Sequence, residues 1–188
     1  MKRLTAVIMS VLAAPLAAQD FSERSTARAW NLYGEAPAFF EARVTDPLCE
    51  LTGECAENCG GGALQLTLVR TVDNVMVFPL KNSQPVFTGA VQELLPFCGQ
   101  TVEVDGLMIT DPELGAQNVY LVQKIRLSGT EEWTKADTWT KKWAAANPEA
   151  KGKGPWFRRD PDIKAEIAEE GYLGLGAEAD EAFIADWF

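Results

Sequence analysis

The chain predicts a mainly β fold with a helical extension at its C-terminal end, and three features of the sequence say so. Apolar residues alternate with period two in short segments between Phe39 and Leu127, the mark of half-buried strands. One segment among them, Phe87 to Leu95, changes to helical spacing. Beyond Leu127 the alternation ends, and residues 128–188 hold five of the six tryptophans together with helix-start and helix-stop signals.

Residues 1–18 come first and belong to neither part. A basic start (Lys2, Arg3), an apolar stretch from Leu4 to Leu16 and a small-residue exit at Ala17–Ala18 have the layout of a cleavable export signal. The stretch is too short for a membrane anchor, and no later segment reaches the length that spans a bilayer. The expected mature chain begins at Gln19 or Asp20, lies in the periplasm or is secreted, and does not insert in the membrane. Residues 19–38 form a mixed, polar N-terminal segment with Trp30, Leu32 and Tyr33 as its strong anchors.

A barrel-forming region is expected over residues 39–127. In Phe39–Thr45, Phe40, Ala42 and Val44 point one way while Glu41, Arg43 and Thr45 point the other. Cys49 to Gly62 breaks the pattern with three cysteines and four glycines and reads as a loop. Leu64, Leu66 and Leu68 mark a second strand, and Asp73–Asn74 turns the chain into a third, Val75–Leu80. Phe87, Ala90, Val91, Leu94 and Leu95 then recur at helical spacing, with Pro96 as the stop. Thr101–Leu107 alternates again, with Val102 and Val104 inward and Thr101, Glu103 and Asp105 outward, and Asn118–Leu127 is the last strand.

In residues 128–188, a helix is expected from Thr130 to Ala146, with Trp139 and Trp143 on one face and Asn147–Pro148 as its end. Asp160–Pro161 supplies an N-cap and a first-turn proline, Ile163 and Ile167 a narrow apolar stripe, and Gly171 a stop. A last short helix carries Phe183, Ile184 and Trp187.

Three strands, a helix and two strands within about 90 residues is the element order of an OB-fold, a five-stranded Greek-key barrel with a helix between strands three and four. The segment Phe97-Cys98-Gly99-Gln100-Thr101-Val102-Glu103-Val104-Asp105-Gly106 resembles the lead-in to the fourth strand of many bacterial OB domains, and beyond the barrel the chain is similar in general character to small secreted proteins. The resemblance implies an OB-like barrel that binds oligonucleotides, oligosaccharides or proteins, and it does not choose among them. It also implies a disulfide pairing. Strand four of such a barrel starts beside the end of strand one, which brings Cys49 to Cys98 and leaves Cys55 with Cys59.

Composition narrows the chemistry. The chain has 17 basic and 27 acidic residues and no histidine. Losing Lys2 and Arg3 takes the formal charge from −10 to about −12, which repels phosphate backbones and argues against nucleic acid as a partner. Without histidine the commonest general base and metal ligand are missing, and no G-x-S-x-G elbow is present, so no catalytic residues, no metal and no cofactor are assigned. Four cysteines in an exported chain read as two structural disulfides.

The first functional expectation is a non-enzymatic binding or accessory protein that docks on another envelope protein. Its contacts would be Trp139, Trp143, Trp156, Phe157, Arg158 and Arg159, since aromatic and arginine side chains dominate interface hot spots. A second is a thiol-redox or copper-handling protein using Cys55 and Cys59, whose C-x3-C spacing resembles the copper pair of Sco-type chaperones and of the binuclear copper domain of oxidases; both families add histidines that this chain lacks. A third is a small carbohydrate-binding module working through Trp139, Trp143 and Trp156.

Overall fold

The computed structural model describes residues 19–80, 90–113 and 115–187. The export-signal expectation and Phe87 lie outside the described residues. Six strands form one sheet: β1 (Glu35–Thr45), β2 (Thr67–Arg70), β3 (Met76–Leu80), β4 (Thr101–Asp111), β5 (Ala116–Leu127) and the short β6 (Thr134–Lys135). Their order is β3-β2-β1-β4-β5-β6, and parallel pairing of β3 with β5, from Phe78↔Val119 to Leu80↔Leu121, closes the first five into a barrel. Helix α2 (Ala90–Leu94) lies between β3 and β4, as the OB-like order requires. Three further helices follow the barrel: α3 (Trp139–Ala146), α4 (Pro161–Glu170) and α5 (Ala177–Trp187).

Period-two alternation builds the core. Phe40, Ala42 and Val44 of β1 and Val102 and Val104 of β4 face Leu66, Leu68, Val77, Tyr120, Val122 and Ile125 across the barrel, and Leu94 of α2 plugs one end. The Tyr120 hydroxyl donates to the Ala38 carbonyl at 2.8 Å, so the largest fully buried ring carries no unmet donor. Burial pushes that phenol's pKa well up, and the nearby Asp105 charge adds to the shift. On the other side of the sheet a smaller cluster, Leu107, Ile109 and Leu121, is covered by Trp30 and Leu32 of the N-terminal segment. Those two residues anchor as expected, whereas Tyr33 is exposed. Glu35 fixes the turn before β1 by accepting from the N–H groups of Trp30, Asn31 and Leu32.

Several local expectations are corrected. The segment after β1 is not all loop: α1 (Pro47–Thr52) forms there, with the Asp46 carboxylate accepting from the Cys49 N–H at 2.9 Å, Pro47 in the first turn and Gly53 in a left-handed conformation at the C-cap. The expected helix from Thr130 begins only at Trp139, because Thr134 and Lys135 extend the sheet by pairing with Ile125 and Lys124. Asp105 points into protein instead of solvent.

The disulfides are Cys49–Cys55 and Cys59–Cys98, not Cys49–Cys98 and Cys55–Cys59. Strand adjacency is real, but the main chain of Gly99 and Gln100 occupies it: the Gly99 N–H donates to the Val44 carbonyl and the Val44 N–H to the Gln100 carbonyl. The capped helix α1 has no buried residue, so it carries Cys49 outward and delivers it to Cys55 just beyond Gly53. Cys59 is buried in the main core, and Cys98 packs against the same cluster. Each cysteine therefore pairs with the one in its own environment.

Candidate functional site

Two surfaces emerge when the polar and aromatic side chains are followed outward from the barrel. The first lies over β1 and β4. A half-open cavity of about 320 Å³ is walled by Phe21, Arg24, Phe39, Glu41, Thr71 and Glu103. Three of its charged groups, Arg24, Glu41 and Glu103, are already engaged. Arg24 lies over the Phe39 ring at 4.2 Å and pairs with Glu103, which also pairs with Arg126 at 2.6 Å. Glu41 accepts from the hydroxyls of Thr71 and Ser128. Below this cavity the strap Ser25–Arg28 is stitched to the barrel. Asp105 accepts from the Ser25 hydroxyl at 2.6 Å, the Thr26 N–H at 3.0 Å and the Thr26 hydroxyl at 2.9 Å, with the Lys124 ammonium 3.3 Å away. Burial alone would raise the Asp105 carboxyl, but these partners outweigh it and hold the group below the usual carboxylate range. Gln123 completes the seam by bonding both the N–H and the C=O of Arg28. This surface is occupied by the chain's own N-terminal segment.

The second surface lies in the C-terminal extension, which has two layers. The inner layer is fastened to the barrel. Trp133 packs on Phe39 and receives Lys124 and Arg126 over its ring, each at 4.5 Å. The buried Glu93 of α2 accepts from the N–H and hydroxyl of Thr138 and pairs with Lys142 at 3.2 Å, which ties the start of α3 to the helix that plugs the barrel.

The residues singled out as partner contacts sit on this layer and converge on one another. Trp143 is buried, and its indole N–H donates to the Asp160 carboxylate at 2.7 Å. Trp156 packs between Trp139 at 5.9 Å and Trp143 at 5.6 Å, and Phe157 lies edge-on to Trp156. The Arg159 guanidinium stacks over Trp143 at 5.3 Å and donates to the Ala150 carbonyl, while Arg158 is exposed. Tryptophans 139, 143 and 156 thus spend much of their surface on a local aromatic cluster. Cys55 and Cys59 belong to different bridges, so they do not form the shared pair that a thiol or copper site would use.

The outer layer is the hairpin of α4 and α5. Asp160 caps α4 by accepting from the N–H groups of Asp162 and Ile163, and Gly171 ends the helix with a positive φ, both as the sequence predicts. Asp180 holds the turn between the helices by accepting from the N–H groups of Leu173 and Leu175. Asp180 is also the sole buried residue described from Pro161 to Trp187. Ile167, Tyr172, Leu173, Leu175, Phe183 and Trp187 are all exposed, Tyr172 by 75% and Trp187 by 70%. Phe183 and Trp187 stack at 5.6 Å in that exposed position.

The sequence places Phe183, Ile184 and Trp187 on a final helix, and the narrow Ile163 and Ile167 stripe of the neighbouring helix is too small to cover them. Comparison with protein-family models, with curated proteins and with solved structures gives no match. Among the described residues no helix is long and apolar enough to cross a membrane, and no group of three or more histidine, cysteine, aspartate or glutamate side chains is placed to hold a metal ion.

Proposed function

We propose that this protein is a non-enzymatic accessory protein of the periplasm or extracellular space, which docks on another envelope protein through its C-terminal helical hairpin. The observation that carries this reading is that α4 and α5 leave every large apolar side chain of the hairpin at least partly in solvent. Helices of 10 and 11 residues are too short to hold themselves in water. They draw most of their stability from an apolar face laid against something else, and the barrel supplies little of it. The barrel and the inner layer serve as a rigid mount. Trp139, Trp143, Trp156, Phe157, Arg158 and Arg159 lie in the layer from which the hairpin springs, with Trp143 holding the Asp160 cap at its start. The two disulfides suit an oxidising compartment.

The test is a pair of tagged chains expressed with the export signal, one complete and one ending at Asp160 so that the Trp143–Asp160 bond is kept. The complete chain is expected to retain a protein partner through purification from the envelope fraction, and the shortened chain to lose it while keeping its melting temperature within about 3 °C. Recovery of the same proteins by both chains, or of none by the complete chain, would contradict the proposal.

A further inference from the structure

The hairpin's charge identifies the kind of surface it fits. From Asp160 to Trp187 the chain carries nine carboxylates, Asp160, Asp162, Glu166, Glu169, Glu170, Glu178, Asp180, Glu181 and Asp186, against the single cation Lys164. Two of the nine are used internally, Asp160 as the α4 cap and partner of Trp143, and Asp180 in the turn. None of the ion pairs among the described residues involves the other seven. The exposed rings of Phe183 and Trp187 and the side chains of Leu173, Leu175 and Ile184 are therefore edged by solvated negative charge. Beside them, where α5 begins, lies an open concavity of about 550 Å³ lined by Leu175, Gly176, Ala177, Glu178, Ala179 and Ala182. Its small residues let a partner's side chains approach the backbone closely.

We infer that the hairpin docks in an apolar groove on a different protein whose rim carries lysine and arginine. This rests on the docking reading above and adds the partner's chemistry to it. Charge complementarity selects among the possible occupants. A symmetric hairpin-on-hairpin contact between two copies would bring two sets of carboxylates together with two lysines between them, a like-charge contact that opposes pairing. An anionic lipid surface repels the same carboxylates, whereas interfacial helices that bind such membranes carry lysine and arginine on the polar face. A basic-rimmed groove gains from both features: the rings enter the apolar floor, and the seven solvated carboxylates meet the rim. Helix-in-groove recognition of this kind uses anchors three and four residues apart, the spacing of Ile184 and of Phe183 from Trp187.

The test uses the full chain with a photoreactive amino acid at position 187, and at position 135 on β6 as a control, cross-linked in the envelope fraction and mapped by mass spectrometry. The expected product from position 187 joins a heterologous protein at a segment flanked by lysine and arginine. Its yield should fall at least about fivefold between 50 and 500 mM salt, as charge contacts are screened. Glu178→Lys with Glu181→Lys should reduce it by a similar factor. A product with a second copy of the chain, flotation with phosphatidylcholine–phosphatidylglycerol vesicles, or a heterologous product on an acidic segment with no salt dependence would each overturn the inference. A heterologous product from position 135 but not 187 would leave docking intact and overturn the hairpin's part in it. No heterologous product from either position would overturn the docking reading as well.

Discussion

Replacing Cys59 or Cys98 with alanine is expected to destabilise the fold by about 4 kcal/mol, whereas replacing Cys49 or Cys55 should cost about 2 kcal/mol. The difference comes from what each bridge closes. Cys59 and Cys98 are 39 positions apart, and their bridge removes far more freedom from the unfolded chain than one between residues six apart. Location acts in the same direction. Cys59 is buried in the main cluster and Cys98 packs on it, so truncation at either also opens space at that cluster, while the Cys49–Cys55 bridge lies on a helix with no buried residue. Equilibrium urea unfolding of the four single variants checks the order, and the two members of a bridge should match each other. Non-reducing peptide mapping should recover Cys49 with Cys55 and Cys59 with Cys98. A Cys49–Cys98 peptide would restore the pairing that strand adjacency suggests.

Asp105→Ala should cost about 3 kcal/mol, because the change removes the acceptor of three hydrogen bonds and the buried partner of Lys124. The Ser25 and Thr26 donors would be left facing an apolar side chain, and the strap that covers the sheet should loosen from Ser25 to Arg28. Acid offers an independent check. The Asp105 carboxyl titrates below the ordinary carboxylate value in the folded protein. A depressed folded-state value means the unfolded chain takes up the proton first as pH falls. The stabilisation from this group is therefore complete above about pH 4, the ordinary carboxylate value, and is lost as pH falls through the depressed one. Melting temperatures of the parent should drop more steeply below pH 4 than those of Asp105→Asn, which has no carboxyl to titrate at that position. Parallel slopes would remove Asp105 from the account.

The barrel was legible because its determinants are local and periodic. Phe40, Ala42 and Val44, and Val102 and Val104, announce their strands by alternation alone, and the order of the elements then implies closure. What was hidden depended on where the chain goes after a strand ends. Asp46-Pro47 with Gly53 is a complete set of helix start and stop signals, yet in a cysteine- and glycine-rich stretch it reads as loop. That helix carries Cys49 away from strand four and toward Cys55, which strand adjacency alone does not show. Asp105 occupies a solvent-side position of its strand and reads as exposed; only the strap laid over it, from a segment 79 and 80 residues earlier, makes it buried. The tryptophans of the extension show the same limit in reverse. Their residue types fit an interface, but Trp139, Trp143 and Trp156 satisfy one another, and the uncovered surface is displaced onto Tyr172, Leu175, Phe183 and Trp187. Composition marks aromatic richness, while folding decides which rings remain free.

On the docking proposal, the hairpin's rings belong to a partner's surface and not to this protein's own core. The melting temperature of the isolated mature chain carrying Phe183→Ala and Trp187→Ala checks this. Side chains this exposed contribute little to folding, and their mutual stacking is worth about 1 kcal/mol, so the variant should melt within about 3 °C of the parent. A fall of 10 °C or more would show that the two rings are packed in the free protein and are not held out for a partner.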